Sequence, residues 1–293
     1  MSNDIIRFEK IQKRYGEIEA LKGVSFSIPE NSIFGILGAN GSGKSTLMKI
    51  LPGLIKNWSG SIFYNNQFAN DSAVMKREFG YLIEAPTFYE YLSATKNLEL
   101  LARISEVSPN RIFNVLELVG LKDRAHDKVS SYSYGMKQRL GIAQVLLHDP
   151  SVVVLDEPNN GLDPNGIADM AKLIKKMHLD GKTIILSTHN LKDVENICTH
   201  FTVFRKGRNS ATSSINNLFN SSRRWNLMVD NVDLAVRAIR ENNAFKLIDQ
   251  INNRLTVESN LDVSIKHINE LLNGINVYNI SKESNLIKYF HND

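Results

Sequence analysis

The clearest chemistry in the chain sits in one short run, Gly38-Ala39-Asn40-Gly41-Ser42-Gly43-Lys44-Ser45. Its spacing, G-x-x-x-x-G-K-[ST], suits a phosphate-binding turn: glycines let the backbone close round phosphate oxygens while successive N–H groups point inward. Lys44 then reaches the outer phosphates of a nucleotide, the Ser45 hydroxyl is placed for Mg²⁺, and Thr46 belongs to the same nucleotide-binding run. A second cluster, Asp156-Glu157, ends the apolar stretch Val152-Val153-Val154-Leu155. Asp156 suits a role on Mg²⁺, directly or at one remove. Glu157, the next residue, points another way and can act as general base on an attacking water. Together these residue types allow a nucleoside triphosphate to be bound and its terminal phosphate split off.

Such groups need elements to hold them. Residues 5–11 and 21–28 alternate like antiparallel strands, the second closed by Pro29. Residues 33–37 form a continuous apolar run, as in a strand buried on both faces, and the phosphate turn follows directly. A helix is predicted over 45–54, and its N-terminal dipole faces the same anion. Buried strands at 152–155 and 183–186, with a helical pattern at 166–177 between them, predict a parallel α/β sheet. From about 87 to 147 the patterns at 97–104, 109–119 and 134–147 are helical, which predicts an inserted helical subdomain. Composition shifts near residue 210, where 210–214 and Asn216-Asn217 read as a linker. The β-α-β-β-α order beyond it (225–229, 232–241, 245–251, 254–257, 263–272) predicts a small α+β domain over 211–293, beside a first domain over 1–210.

Three more motifs fall in series with the first two. Ser133-Tyr134-Gly135-Met136-Lys137-Gln138-Arg139 opens the third inserted helix, Asn160-Gly161-Leu162-Asp163 follows the acidic pair, and Ser187-Thr188-His189 follows the strand at 183–186. In order and spacing, residues 4–210 resemble the ATP-binding-cassette (ABC) ATPases, whose signature is usually L-S-G-G-Q. The resemblance implies a P-loop NTPase core, with a parallel sheet, an antiparallel β subdomain and the helical insertion. It implies Tyr15 as the aromatic stacked on adenine, ATP and Mg²⁺ at the phosphate turn, and His189 holding the γ-phosphate and the water. It also implies that Ser133 and Gly135, at a helix tip suited to anions, face the ATP bound by a second copy. Asp163 would communicate across that interface. Two ATPs then join a head-to-tail homodimer, whose closing and opening drives a separate transmembrane permease.

Some residues depart from that pattern. Tyr132, Tyr134 and Met136 stand where the signature usually has Leu, Gly and Gln. Glu84, in Gly80-Tyr81-Leu82-Ile83-Glu84-Ala85-Pro86, stands where these ATPases carry glutamine and adds a negative charge near the γ-phosphate. Two unit charges about 4 Å apart interact by about 4 kcal/mol at an effective dielectric of about 20. Such repulsion weakens ATP binding unless Mg²⁺ or a cationic partner sits between the charges, so Glu84 is expected to lean on the metal or on the permease, and it counts among the catalytic and metal-site candidates. Residues 82–94 and 135–143 resemble the glutamate-loop ATPases of lantibiotic-immunity and bacitracin-resistance exporters. That likeness implies export of an antimicrobial peptide or another amphiphile.

Composition narrows the alternatives. The chain has 293 residues, 42% of them hydrophobic, enough for about two domains. Its 35 Lys+Arg against 31 Asp+Glu leave a net charge of +4, without the strongly basic face of a dedicated nucleic-acid binder, so no nucleic acid is expected. Cys198 is the sole cysteine, which excludes an intramolecular disulfide framework and a CxxC site. The first residues lack a secretory pattern, and no apolar run approaches the roughly 20 residues of a membrane helix. A cytoplasmic protein is expected, peripheral on the inner face of the membrane through its permease. The alternative is a soluble ABC ATPase acting without a permease on nucleic acid or ribosomes. A third reading, prompted by the altered signature, is a nucleotide sensor that does not hydrolyse.

Overall fold

The alternation at the start of the chain becomes β1 (Asp4–Tyr15) and β2 (Ile18–Pro29), paired antiparallel through Ile6↔Ile28 and Phe8↔Phe26. The computed structural model describes residues 3–69, 73–104, 107–220, 222–260, 263–284 and 286; Met1 and Ser2 lie outside them. Along the chain follow β3 (Ile33–Leu37), α1 (Lys44–Ile50), β4 (Ser59–Tyr64), β5 (Gln67–Phe68), α2 (Ala73–Glu78) and β6 (Phe79–Leu82). Next come α3 (Ala94–Ile104), α4 (Pro109–Leu118) and α5 (Tyr134–Val145). They pack on one another and bury Leu98, Ile112, Leu116 and Leu140. Then β7 (Val152–Asp156), α6 (Pro164–Leu179), β8 (Thr183–Thr188), α7 (Leu191–Ile197), β9 (His200–Arg205) and β10 (Arg208–Ser214) close the first compact unit, Met1–Ser213.

A six-stranded sheet in the order β10-β9-β3-β8-β7-β6 frames this unit, with β9, β3, β8, β7 and β6 parallel. Its central strands β3 and β8 are buried at every position because both faces are covered, and their middles are apolar. A four-stranded antiparallel sheet, β2-β1-β4-β5, shares its core. There the ring of Phe26 meets Phe8 at 4.7 Å, Phe34 at 5.5 Å and Phe204 at 6.0 Å between centroids. Each aromatic pair adds about 0.5–1.5 kcal/mol to the burial of its rings. Phe34 belongs to β3, so this core anchors the strand from which the phosphate turn leaves. Cys198 is buried, and burial pushes its thiol up, away from the reactive thiolate. No helix among the described residues is long and apolar enough to cross a membrane.

Two of the expected segments take another form. The helix expected over 45–54 is α1, Lys44–Ile50. Pro52 offers no N–H to continue it, and Gly53 turns the chain at φ 79°, so that the Leu54 N–H closes on the Lys49 carbonyl at 3.0 Å. The stretch expected as a linker is ordered structure: 210–214 lies in β10 at the sheet edge, and α8 (Ile215–Asn220) contains Asn216 and Asn217. Hydroxyls tie β10 to β9, with Thr212 Oγ1 donating to Thr202 Oγ1 at 3.1 Å and Thr202 Oγ1 to the Ala211 carbonyl at 2.8 Å. Polarity marked the segment as loop, whereas ladder hydrogen bonds determine its structure.

The second compact unit, Ser214–Asp293, holds β11 (Arg224–Val229), α9 (Val232–Glu241), β12 (Phe245–Ile251), β13 (Arg254–Ser259), α10 (Ile265–Leu271) and β14 (Val277–Lys282). The order β12-β13-β11-β14 is antiparallel throughout, a split β-α-β arrangement. Its core joins Trp225, Leu227, Val229, Leu255 and Val257 from the sheet to Ala235, Ile239 and Ile268 from the helices. β14 was absent from the sequence reading. Its residues Val277-Tyr278-Asn279-Ile280-Ser281-Lys282 are half-exposed at the sheet edge, so no buried apolar run announces them.

Candidate functional site

The phosphate turn begins where β3 ends and finishes in α1. Gly43, at φ 108°, precedes Lys44 with its Cα so close to the β2 backbone that an added Cβ would lie 2.7 Å from the Ala20 carbonyl oxygen. A side chain is excluded there on both counts. Gly38 donates its N–H to the Thr188 carbonyl at 3.1 Å, which ties the turn to β8. Lys44 is 3% exposed and folds back over the turn, donating to the carbonyls of Gly38 at 2.8 Å and Ala39 at 3.2 Å. The Ser42 hydroxyl is buried within the turn without a hydrogen-bond partner. A cavity of about 390 Å³ opens here, lined by Asn40, Gly41, Gly43, Lys44, Ser45, Thr46 and Glu157, with Lys22 and Lys206 at its side. Glycine backbone, the Ser45 and Thr46 hydroxyls and the cations Lys22, Lys44 and Lys206 fit a polyphosphate.

The two acids are set by strand register. Asp156 pairs with Ser187 across β7 and β8, and the Ser187 hydroxyl donates to Asp156 Oδ1. The same hydroxyl accepts the Glu157 N–H at 2.9 Å, so one serine positions both carboxylate residues. Ser45 Oγ stands 3.4 Å from Asp156 Oδ1, which brings the two candidate Mg²⁺ ligands together. Glu157 adopts φ 48°, a left-handed conformation that costs a non-glycine residue about 1–3 kcal/mol and clusters at functional sites. Its carboxylate lies between Lys44 Nζ at 3.6 Å and His189 Nδ1 at 3.0 Å. The His189 segment is itself held, since Thr188 Oγ1 donates to Asp193 at 2.8 Å and Asn190 caps α7. A hollow of about 130 Å³ runs from Glu157 past Asn160 and Gly161 to His189.

The remaining candidates lie elsewhere in the unit. Ser133 caps α5 by accepting the Met136 N–H at 3.3 Å, and Asp163 caps α6 by accepting the Gly166 N–H at 2.7 Å. Ser133, Gly135 and Asp163 line a separate cavity of about 390 Å³ that shares no lining residue with the phosphate cavity. Tyr132 is buried and bonds the Arg124 carbonyl at 2.7 Å, so the first departure from the signature is a packing residue. Tyr15 is half exposed, with the Lys13 ammonium 4.8 Å from its ring centre, and is absent from the lining of the phosphate cavity.

Glu84 has found a cationic partner. Lys49, one turn beyond Ser45 on α1, bonds its Oε1 at 2.6 Å. That hydrogen bond and charge hold the Glu84 carboxyl below its ordinary range and raise the Lys49 ammonium. Lys49→Met is therefore expected to return Glu84 to an ordinary carboxyl titration, read by NMR of a labelled side chain. An unchanged Glu84 titration would contradict the pairing. The sign is that of a depressed carboxyl: the interaction is complete above the ordinary carboxyl pKa and is lost as pH falls through the lowered one. Lys49 and Ser187 were both missed as site residues. Their signals were the i+4 spacing from Ser45 and a hydroxyl at the end of the strand beside Asp156.

A family model described as ABC transporter matches residues 21–160. The chain is 40% identical over 208 residues to the bacitracin transport ATP-binding protein BcrA of Bacillus licheniformis, covering 70% of this chain and 68% of that one. The chain belongs to the ABC transporter ATP-binding proteins. This ABC ATPase is also 37% identical to the lantibiotic transport ATP-binding protein SrtF of Streptococcus pyogenes, over 70% of its own length and 88% of the relative's. Its fold matches the crystal structure of the ADP conformation of MJ1267, an ATP-binding cassette of an ABC transporter, at 26% identity and a TM-score of 0.68 over 74% of this chain and 95% of that one. The ABC ATPase thus carries the α/β core expected of its motif series and binds ATP as the nucleotide subunit of a transporter.

Proposed function

We propose that the chain hydrolyses ATP as half of a head-to-tail homodimer, and so drives a separate membrane permease that exports peptide antibiotics or similar amphiphiles. The supporting observation is the division within one chain. The Lys44 cavity and the Ser133–Gly135 tip line different hollows, each with part of what a triphosphate needs. In this reading Lys44 and the turn from Gly38 to Thr46 hold the phosphates, and Tyr15 stacks on adenine. Ser45 and Asp156 hold Mg²⁺, which supplies positive charge at the phosphates when bound. Glu157 takes the proton of the attacking water, and His189, 3.0 Å away, aims that carboxylate and reaches the γ-phosphate. Ser133 and Gly135 of the second copy close the site from outside, with Asp163 at the seam. Glu84, neutralised by Lys49, adds no net repulsion toward the phosphates.

Peptide export is supported by the names of relatives that carry bacitracin and lantibiotic transport, together with the Glu84 loop. A place on the inner face of the membrane follows from such a permease. Purified through a tag in mild detergent, the chain is expected to bring a multi-span membrane protein in fixed proportion. ATP hydrolysis by that complex is expected to rise on adding bacitracin or a lantibiotic. Recovery of RNA or ribosomes with no membrane protein would contradict the proposal in favour of a permease-free ATPase.

A further inference from the structure

Tyr134 replaces the glycine usual at the helix tip, and its side chain has a defined place. The ring lies on Gly161: a Cβ added there would stand 3.1 Å from Tyr134 Cε1 and 3.4 Å from Cζ. Gly161 also holds φ 75°, so both the turn and the ring require glycine. One helical turn along α5, the buried Gln138 amide donates to the Tyr134 hydroxyl at 2.9 Å and fixes the ring's far end. Beside this contact, Leu162 approaches Gly135, with its Cδ2 3.5 Å from where a Cβ would be. The helix tip and the 160–163 loop therefore meet through an aromatic ring, and both line the cavity that holds Ser133 and Asp163. Tyr134 lines no part of the phosphate cavity.

We propose that Tyr134 is a positioning residue that fastens the 160–163 loop to the Ser133 helix tip, so that the two surfaces a second copy meets are already held in one shape. The inference rests on the reading of the site as half of an ATP-clasping pair. Its physical basis is preorganisation: a loop ordered in the single copy need not be ordered when copies associate. A small residue at position 134 leaves that ordering to the pairing step.

Two variants separate ring from hydroxyl. Tyr134→Ala removes both, and Tyr134→Phe keeps the ring on Gly161. In the nucleotide-free chain, Tyr134→Ala is expected to speed hydrogen exchange of the 160–163 amides about tenfold, with Tyr134→Phe within about threefold of the parent. Equal exchange in all three proteins overturns the proposal. Pairing is then read by sedimentation against ATP concentration in a Glu157→Gln background. Tyr134→Ala is expected to raise the ATP concentration for half-maximal pairing about tenfold, with ATP affinity of the single copy unchanged and Tyr134→Phe restoring pairing. Unchanged pairing in the alanine variant, or an equal loss of single-copy ATP affinity, overturns it. A parent that never pairs on ATP refutes the head-to-tail reading instead, and the exchange measurement still decides the role of Tyr134.

Discussion

Glu157→Gln is expected to lower steady-state ATP hydrolysis by roughly 10²–10⁴-fold, the usual contribution of a general base, while ATP binding survives. The substitution keeps the shape of the side chain and removes its capacity to take a proton. Binding survives because Lys44 is held by the Gly38 and Ala39 carbonyls as well as by Glu157. It gains, too, because a carboxylate beside the phosphate cavity repels the terminal phosphate and an amide does not. Paired copies should accumulate with ATP trapped between them. Phosphate release and binding of a fluorescent ATP analogue, measured side by side, check both halves. Normal turnover would remove Glu157 from the base role.

Lys44→Ala should act on the other half of the cycle. A hydrogen bond to a charged group contributes about 1.5–3 kcal/mol, and two from one ammonium to phosphate correspond to at least about a 100-fold loss of ATP affinity. The cost to the fold is smaller but real, since the Gly38 and Ala39 carbonyls lose their donor and Glu157 loses its cation. Equilibrium binding of the ATP analogue reads the first effect and thermal unfolding without nucleotide reads the second. ATP affinity within about threefold of the parent would contradict the phosphate role of Lys44.

Much of this was legible in the sequence because the chemistry is local. The phosphate turn needs glycines and a lysine at set spacing, and a strand buried on both faces leaves an unbroken apolar run such as Ile33–Leu37. Asp156 and Glu157 stood out as acids closing such a strand. What stayed hidden depends on neighbours distant in sequence. Ser187 acts through its register opposite Asp156, 31 residues away. Lys49 gains its meaning from Glu84, which the charge argument assigned to the metal or the permease and which the fold pairs with a lysine of the same chain. Tyr134 read as a bulky departure from the signature, and only the loop folded against it shows where the ring goes. β10 and β14 were missed for a related reason. Edge strands need little apolar sequence when a neighbouring strand supplies the hydrogen-bond ladder.

Mixing two disabled variants tests most directly the proposal that each active site is shared between copies. Lys44→Ala disables the phosphate turn, and Gly135→Asp places a carboxylate at the α5 tip, where a Cβ makes only ordinary contact with Leu162. Each variant alone should be inactive. Random pairing of equal amounts should restore hydrolysis to about a quarter of the parent rate, because each mixed pair holds one intact composite site. An inert mixture, or full activity of Gly135→Asp by itself, would contradict a site in which each intact half works with its partner's half.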